Sequence, residues 1–461
     1  MNMKKISYIL VVCTVLLSSC TKFLDIKPYG KVIPKTAEEF SSMLHSTLED
    51  IDYGEETILG NVLSIADLEC YADNLEANIS LSESSSYLPL YIGDDLSGKQ
   101  NRYSNLYDAI KDCNIIMDNI DEKESRLAKD VLGTAYAIRG ICYYNLLRDF
   151  CEPPVGNMKG LGVPIVTKFD MEGKPLRSTI EETFKRVEND MLSAISFQIE
   201  DPMFRFNSDI MEGYLARLYF WIGDWDKAAE YAAKVLAKYP LLSGMAYTDM
   251  LASETTPKGN ILIKSGLLTD SSTSMQYSSA KSNMKSRPVS KRFVDIFIEK
   301  DADIRYELSF NKKRIFQKNV FACMRSAEMQ LILAESLYHG GDQTGALKEL
   351  NELRSLRIEG VEDYTMQTLP AVNPDEYIKV DVYGNPLTPL LNAILNERRK
   401  ELFMEGDRWY ELKRNGRPEF WAAKQGRKYT TMKFMYTFPL PIGDIELVDG
   451  LVQNPGYDKI K

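Results

Sequence analysis

Histidine and clustered cysteine are almost absent from this sequence. Only His45 and His339 occur in 461 residues, and the chain has no H-E-x-x-H or C-x-x-C motif. Zinc sites and Ser-His catalysis need such residues at close spacing or in a defined constellation. We therefore predict no metal site, no cofactor and no catalytic residue.

An excess of positive charge is also lacking. The 56 Lys and Arg residues are outnumbered by 66 Asp and Glu residues, which gives a net charge of -10. Affinity for nucleic acids rests largely on basic side chains that neutralise phosphates, so the composition argues against a nucleic-acid partner. The hydrophobic fraction of 44% is that of a folded globular protein.

No hydrophobic run is long enough to cross a bilayer. The apolar stretch at residues 6–17 follows Lys4 and Lys5, and as a helix it would extend about 18 Å against a hydrocarbon core of ~30 Å. This arrangement is typical of a secretory signal peptide. Residues 17–20 read Leu-Ser-Ser-Cys and resemble the lipobox of bacterial lipoproteins. We predict a lipoprotein signal peptide at residues 1–19 and lipidation of Cys20.

The cysteines do not form the pattern of a disulfide framework. Beyond Cys20, the odd number of cysteines implies at least one free thiol if the chain is exported. Cys113 and Cys142 fall on helical faces, where we expect small buried thiols.

Helical periodicity dominates the chain. Apolar residues recur at spacings of three and four over residues 103–120 and again over residues 127–150, which predicts an antiparallel pair of helices. A third helix is predicted to begin near Ser178, with Ser178 and Glu181 forming a capping box.

One segment carries the signature of a tetratricopeptide repeat. Residues 216–228 place small residues on either side of a Gly-Asp turn, and residues 334–346 repeat the pattern 118 positions later. Because a tetratricopeptide unit spans only ~34 residues, the array must be interrupted. We predict an all-α, interrupted tetratricopeptide-like scaffold, mainly residues 36–50, 101–240, 324–358 and 390–414, with loop-rich insertions at 67–100, 251–290 and 363–389 that carry minor β structure. We expect none of these insertions to contribute to the hydrophobic core.

The aromatic residues of the repeat motif, by contrast, are expected to be buried in that core. They are Tyr219, Trp221 and Trp225.

Two segments match the beginning of a known motif but lack its essential residues. Residues 93–99 have the spacing of a phosphate loop, yet Gln100 replaces the hydroxyl residue that would bind magnesium. Residues 301–303 begin like a calcium loop without its turn glycine. Neither is interpreted as a binding site. The densely charged segment 396–414 is interpreted as a structural helix with ion pairs within one turn, including Glu397 with Lys400 and Arg408 with Glu411.

Several segments together resemble the SusD/RagB family of outer-membrane nutrient-binding lipoproteins of Bacteroidetes. They are residues 23–28, 137–148, 325–335 and 397–414, with the C-terminal Pro439-Leu440-Pro441 and the Gln453-Asn-Pro-Gly-Tyr457 motif. The resemblance covers residues 20–461 as a single domain. It implies four tetratricopeptide-like helix pairs, a TonB-dependent outer-membrane transporter as partner, and a lipid-anchored position on the outer membrane facing the cell exterior. It also implies capture of an oligosaccharide without catalysis.

Tyrosine-rich insertions supply the candidate binding site. Tyrosine rings can stack on sugars while amide, carboxylate and guanidinium groups bind hydroxyls. The predicted ligand-binding residues are Tyr71, Asp73, Asn74, Tyr91 and Asn101 at the first insertion, facing Tyr277 and Arg287 of the second, with Tyr383 as a weaker candidate. The alternatives left open are a peptide ligand, a polysaccharide hydrolase, and a helical scaffold that binds only protein.

Overall fold

A computed structural model describes the parts of the chain that build the scaffold. They are residues 34–53, 58–60, 62–76, 101–121, 123–170, 172–252, 259, 261–265, 278, 284–285, 287–320, 322–424 and 427–457. The predicted signal peptide, the lipidation residue Cys20, and the candidate residues Tyr91 and Tyr277 lie outside them, as does the side chain of Asn101.

The described residues form a predominantly helical molecule with three small antiparallel two-stranded sheets. The helices are α1 (Ala37–Tyr53), α2 (Val62–Tyr71), α3 (Asn101–Asn119), α4 (Arg126–Phe150), α5 (Ile180–Phe197), α6 (Ser208–Ile222), α7 (Trp225–Lys238), α8 (Gly244–Ala252), α9 (Lys291–Asp295), α10 (Ile304–Ser309), α11 (Ser326–His339), α12 (Gln343–Ser355), α13 (Pro389–Glu401), α14 (Asp407–Arg414) and α15 (Ile442–Leu447). The paired strands are β1 (Leu161–Pro164) with β2 (Arg177–Thr179), β3 (Ile261–Lys264) with β4 (Cys323–Arg325), and β5 (Trp421–Lys424) with β6 (Arg427–Thr430).

Eight of these helices form one continuous stack. Helices α3, α4, α5, α6, α7, α11, α12 and α13 each pack against the next. The predicted all-α class with minor β structure is confirmed. Among the helices of the described residues, none combines the length and the apolar character that a bilayer crossing requires.

The two repeat motifs fold into matching hairpins that lie side by side. Gly223 adopts a φ of 81° after α6, and the Asp224 carboxylate accepts a hydrogen bond from the Lys227 amide at the start of α7. Gly341 adopts a φ of 92° after α11, and Asp342 caps α12 in the same way. Helix α7 packs directly on α11. The two repeat hairpins are therefore adjacent in the fold, although residues 239–325 separate these two helices in the sequence.

The side chains expected in the core are there. Tyr219, Trp221 and Trp225 are buried, as are Cys113 and Cys142. Burial raises the pKa of the Cys113 thiol far above its ordinary value, because an apolar environment disfavours the thiolate. These predictions are confirmed, and Cys113 is an inert packing residue.

The third helix begins one residue later than predicted. Its N-cap is Thr179, whose hydroxyl accepts from the Glu182 amide while the Glu182 carboxylate accepts from the Thr179 amide. Ser178 belongs to β2, and its hydroxyl donates to the Val163 carbonyl of β1 at 2.7 Å. The capping box predicted at Ser178 and Glu181 is therefore wrong by one residue. Ser178 cannot cap the helix because its hydroxyl is bonded to the neighbouring strand.

The expectation that the insertions stay out of the core is wrong. Residues 67–71 form the end of α2, and Leu68, Cys70 and Tyr71 are buried. Strand β3 lies inside the second insertion, and Ile263 joins the main core, as do Met284 and Val289. Since β3 pairs with β4 immediately before α11, its apolar side chains lie over the helix stack.

A close backbone contact between β1 and β2 leads to a stability prediction. A Cβ atom at Gly162 would lie 2.2 Å from the Thr179 carbonyl oxygen. We expect Gly162→Ala to destabilise the protein by ~1–3 kcal/mol, because the backbone must move to admit the methyl group. The free energy of unfolding in urea measures the effect. Gly443→Ala, where nothing lies within 4 Å of the added Cβ, is the matched control. Equal stability of the two variants would contradict this prediction.

Candidate ligand-binding cavity and the buried charges beneath it

The charged segment 396–414 forms two helices instead of one. Helix α13 ends at Glu401 and α14 starts at Asp407, with Met404 and Gly406 in the left-handed region at φ values of 64° and 77°. The predicted pairs Lys400–Glu397 and Arg408–Glu411 form at 2.9 and 2.7 Å. Most of the charged side chains are buried, however, and pair with distant parts of the chain.

Glu401 is the centre of the larger buried cluster. Its carboxylate accepts from Arg325 Nη1 at 2.5 Å, from Arg357 Nε at 3.0 Å and from Arg305 Nη1 at 3.4 Å. These guanidinium groups hold the pKa of Glu401 well below its ordinary value, despite the desolvation that opposes them. The cluster ties α13 to β4, α10 and the end of α12.

A second cluster contains three of the predicted ligand-binding residues. Asp73 accepts from Arg408 Nε at 2.7 Å and lies 3.1 Å from Arg399 Nη2. Asn74 accepts from Arg399 Nε at 2.9 Å, and the ring of Tyr71 packs edge-on against Trp409 at 5.3 Å. Asn74 is thus enclosed by protein, and Tyr71, although buried, borders a separate cavity of about 150 Å³.

Above this cluster lies a surface cavity of about 180 Å³. Its lining side chains come from the segment after α2, from both sides of the start of α9, from the third insertion and from the start of β5: Ala72, Asp73, Leu75, Glu76, Arg287, Ser290, Arg292, Tyr377, Phe420 and Trp421. The cavity brings Asp73 and Arg287 together from the two predicted insertions. Tyr383 lies elsewhere, with its hydroxyl accepting from Trp225 Nε1 at 2.6 Å.

One wall of the cavity is aromatic and cationic. The rings of Tyr377 and Phe420 stack with centroids 4.8 Å apart and an interplanar angle of 15°. The guanidinium carbon of Arg292 lies 4.0 Å from the Tyr377 ring centroid, and Trp421 is 45% exposed. Phe420 and Arg292 together cover the Tyr377 ring, so Trp421 is the ring of this wall that is suited to stacking with a ring-shaped polar ligand.

The polar groups of the cavity differ in how firmly the protein engages them. Arg287 donates to the Glu76 carbonyl at 3.2 Å and to the Cys70 carbonyl at 3.3 Å. Glu76 accepts from Arg314 Nη1 at 2.8 Å, and Asp73 is held ionised by its arginines, which keep its pKa well below the ordinary range. The Nε atom of Arg292 is buried and has no hydrogen-bond partner among the described residues.

Sequence reasoning missed Arg292, Tyr377, Phe420 and Trp421. Tyr377 does fall within the third insertion. Trp421 could have been singled out from the sequence, because it is one of only four tryptophans and lies outside the repeat motif. The proximity of these residues follows only from the tertiary fold.

Comparisons with known proteins agree with this architecture. One family model, described as "Starch-binding associating with outer membrane", matches residues 22–220, and a second, the SusD family, matches residues 217–457. A comparison with curated protein sequences finds no match.

Solved structures share the fold. A SusD superfamily protein from Bacteroides thetaiotaomicron is 22% identical, with 91% of this chain and 100% of that chain covered and a TM-score of 0.70. A SusD-like carbohydrate binding protein from Bacteroides vulgatus is 18% identical, with 91% and 98% covered and a TM-score of 0.66. A laminarin binding SusD-like protein is 17% identical, with 92% and 100% covered and a TM-score of 0.59.

The helix stack is a helical-repeat scaffold with the fold that these solved structures share. More particularly, the chain belongs to the SusD family. The family is associated with carbohydrate binding and with the outer membrane.

Proposed function

We propose that this chain is a non-catalytic lipoprotein that captures an oligosaccharide and passes it to a TonB-dependent outer-membrane transporter. The observation that carries the proposal is the cavity lined by the exposed ring of Trp421, the stacked ring of Tyr377 and the side chain of Arg292. The family's association with carbohydrate binding supports a glycan as ligand.

The dimensions of the cavity favour binding the end or one ring of a longer ligand. At about 180 Å³ it is smaller than the ~300–1,000 Å³ of pockets that enclose a whole small molecule. One sugar ring would stack on the exposed ring of Trp421, and the remainder of the chain would lie along the surface. Every pyranose presents an apolar face, so stacking alone admits many sugars.

The carboxylates of the cavity favour binding over hydrolysis. Glycosidases need one carboxyl group with a raised pKa as the acid and a second as base or nucleophile. Asp73 is instead held ionised between two arginines, and Glu76 is engaged by Arg314. Asp73 is therefore not available to donate a proton.

The membrane position and the partner are part of the same proposal. The lipobox-like residues 17–20 support a lipid anchor at Cys20, and the family's association with the outer membrane supports that location, with the protein facing the cell exterior. Multiple acyl chains give stable anchoring, since each buried methylene contributes about 0.8 kcal/mol. The TonB-dependent transporter is proposed from the family resemblance.

Replacing Trp421 tests the cavity directly. Isothermal titration against starch-type, laminarin-type and other purified oligosaccharides should give binding without cleavage, and Trp421→Ala should weaken it ~10-fold or more, about 1.4 kcal/mol, because an exposed aromatic anchor is removed. Phe169→Ala is the matched control, since Phe169 is 50% exposed and outside the cavity lining.

Three outcomes would count against the proposal. Chromatographic detection of cleavage products would favour the hydrolase. Binding that is unchanged in Trp421→Ala would place the site elsewhere. Failure of all oligosaccharides together with binding of a peptide panel would favour the peptide-binding alternative.

A further inference from the structure

A buried carboxyl group lies next to the proposed glycan cavity and forms no ion pair with any described residue. It belongs to Glu69, in the last turn of α2, which has no solvent exposure. Its Oε1 atom accepts from the Gly406 amide at 3.0 Å, and its Oε2 atom accepts from Asn74 Nδ2 at 3.1 Å. Both partners are therefore neutral N–H donors.

The turn between α13 and α14 presses directly on α2 at this point. Gly406 has a φ of 77° in that turn, and a Cβ atom there would lie 2.9 Å from Ile65 Cδ1. Asn74, on the other side of the carboxyl group, is 1% exposed. The Glu69 carboxyl group is thus enclosed by protein.

The protonation state of Glu69 changes near neutral pH. Desolvation is the main influence and raises its pKa to about 7. The hydrogen bonds from Asn74 and Gly406 oppose this rise, as does the charge of Lys318, whereas the charge of Asp407 adds to it. The Cys70 thiol of the same helix is a further titratable neighbour.

Asn74 connects this carboxyl group to the lining of the cavity. Its Oδ1 atom accepts from Arg399 Nε at 2.9 Å, and Arg399 Nη2 lies 3.1 Å from Asp73 of the lining. Its backbone carbonyl accepts from the Ser290 amide at 2.8 Å, and Ser290 also lines the cavity and caps α9. A displacement of Asn74 therefore alters the shape of the cavity.

A protonated Glu69 does not fit this arrangement. A carboxylate offers two accepting oxygens, whereas a protonated carboxyl group carries an O–H that must donate. Both neighbours of Glu69 present donors, and the amide oxygen of Asn74 already accepts from Arg399. Protonation therefore breaks the bond to Gly406 or forces the Asn74 amide to turn.

We propose that Glu69 is a positioning residue for the glycan cavity, and that only its ionised form holds residues 72–76 in the ligand-binding arrangement. The inference rests on the proposed function, because this cavity is where the oligosaccharide would bind. Binding would then release a proton from Glu69, and the affinity for oligosaccharide would rise with pH.

The effect on the wall is measured without any ligand. Amide signals of Gly406, Ala72 and Leu75 in nuclear magnetic resonance spectra should shift with pH, with a midpoint near 7. Gly406 reports the bond to Glu69 itself, whereas Ala72 and Leu75 report the cavity lining.

The effect on binding is measured by isothermal titration with maltoheptaose and laminariheptaose. Affinity should increase about 10-fold from pH 6 to pH 8, because the ionised fraction of a group with a pKa of about 7 rises by that factor. At pH 7 the heats of binding in phosphate and in Tris should differ by the amount that corresponds to release of about half a proton.

Two variants assign the pH dependence to Glu69. Glu69→Gln presents one acceptor and one donor, as the protonated acid does, so it should bind at least about 10-fold more weakly than wild type at pH 8 and lose the pH dependence. Asp112→Asn is the matched control and should keep it, since desolvation also raises the pKa of Asp112 but its side chain is 48% exposed and outside the lining.

Amide signals that do not titrate near pH 7, or that titrate equally in Glu69→Gln, would overturn the inference. Oligosaccharide binding whose affinity is the same at pH 6 and pH 8 would overturn it as well, while leaving the proposed function intact. If the amides titrate as expected and no oligosaccharide binds, the proposed function fails and the positioning of the wall by Glu69 stands. Should Glu69→Gln not fold, the wild-type amide titration decides the question.

Discussion

Replacing Glu401 with glutamine is expected to lower the free energy of unfolding by about 3–5 kcal/mol, because it leaves buried arginines without their counter-charge. Arg305 and Arg325 retain other carboxylate partners, Asp303 and Glu405 among them. Arg357, by contrast, forms its ion pair with Glu401 alone among the described residues. Urea denaturation measures the change.

The control for Glu401→Gln is a surface ion pair of similar length. Lys234 Nζ lies 2.6 Å from Glu230 Oε1, and both side chains are well exposed. Glu230→Gln should change stability by less than about 0.5 kcal/mol, because solvent screens the pair. A loss below 1 kcal/mol for Glu401→Gln would show that the cluster contributes no more than a surface pair.

The second large effect is a loss of stability in acid. Neighbouring cations lower the pKa values of Glu335, Glu397 and Glu405 to about 2 in the folded protein. Each carboxylate therefore contributes stability that is complete above the unfolded-state pKa of about 4.3 and is lost as the pH falls through about 2. A shift of this size corresponds to about 3 kcal/mol for each group. Urea midpoints measured between pH 6 and pH 2 should fall steeply below pH 4.

Glu69 provides an internal check on the sign of this effect. Desolvation raises its pKa to about 7, so the folded state binds an extra proton between about pH 4.3 and 7. Stability from this group decreases as the pH rises through that window. Glu69→Gln should remove that decrease and leave the acid limb below pH 4 intact. A wild-type stability that does not change between pH 5 and pH 2 would contradict the acid prediction.

The scaffold was readable from the sequence because its signals are local. The helix pair, the Gly-Asp hairpins and the buried Tyr219 depend on spacing within a few residues. The error at Ser178 arose where a strand partner from residues 161–164 competed with the local cap. Tertiary pairing overrode an otherwise valid motif.

The candidate site was less predictable because polarity does not distinguish a ligand contact from a buried ion pair. Asp73 and Asn74 look alike in a polar loop sequence, yet both are engaged by arginines more than 300 residues away. Arg287 does line the cavity, and its predicted role in binding stays a prediction. The stacking of Tyr377 on Phe420 joins segments that no periodicity connects.

The contact between the two repeat hairpins has a consequence for the order in which the molecule can fold. Helix α7 ends at Lys238 and its partner α11 begins at Ser326, so a chain that emerges N-terminus first presents α7 before α11. Until α11 arrives, the side of α7 that will contact it has no partner. Trp225, whose ring stacks on His339 at 4.4 Å in the folded protein, is uncovered in that interval. The arrival of the C-terminal half therefore sets the time at which the N-terminal half can finish folding.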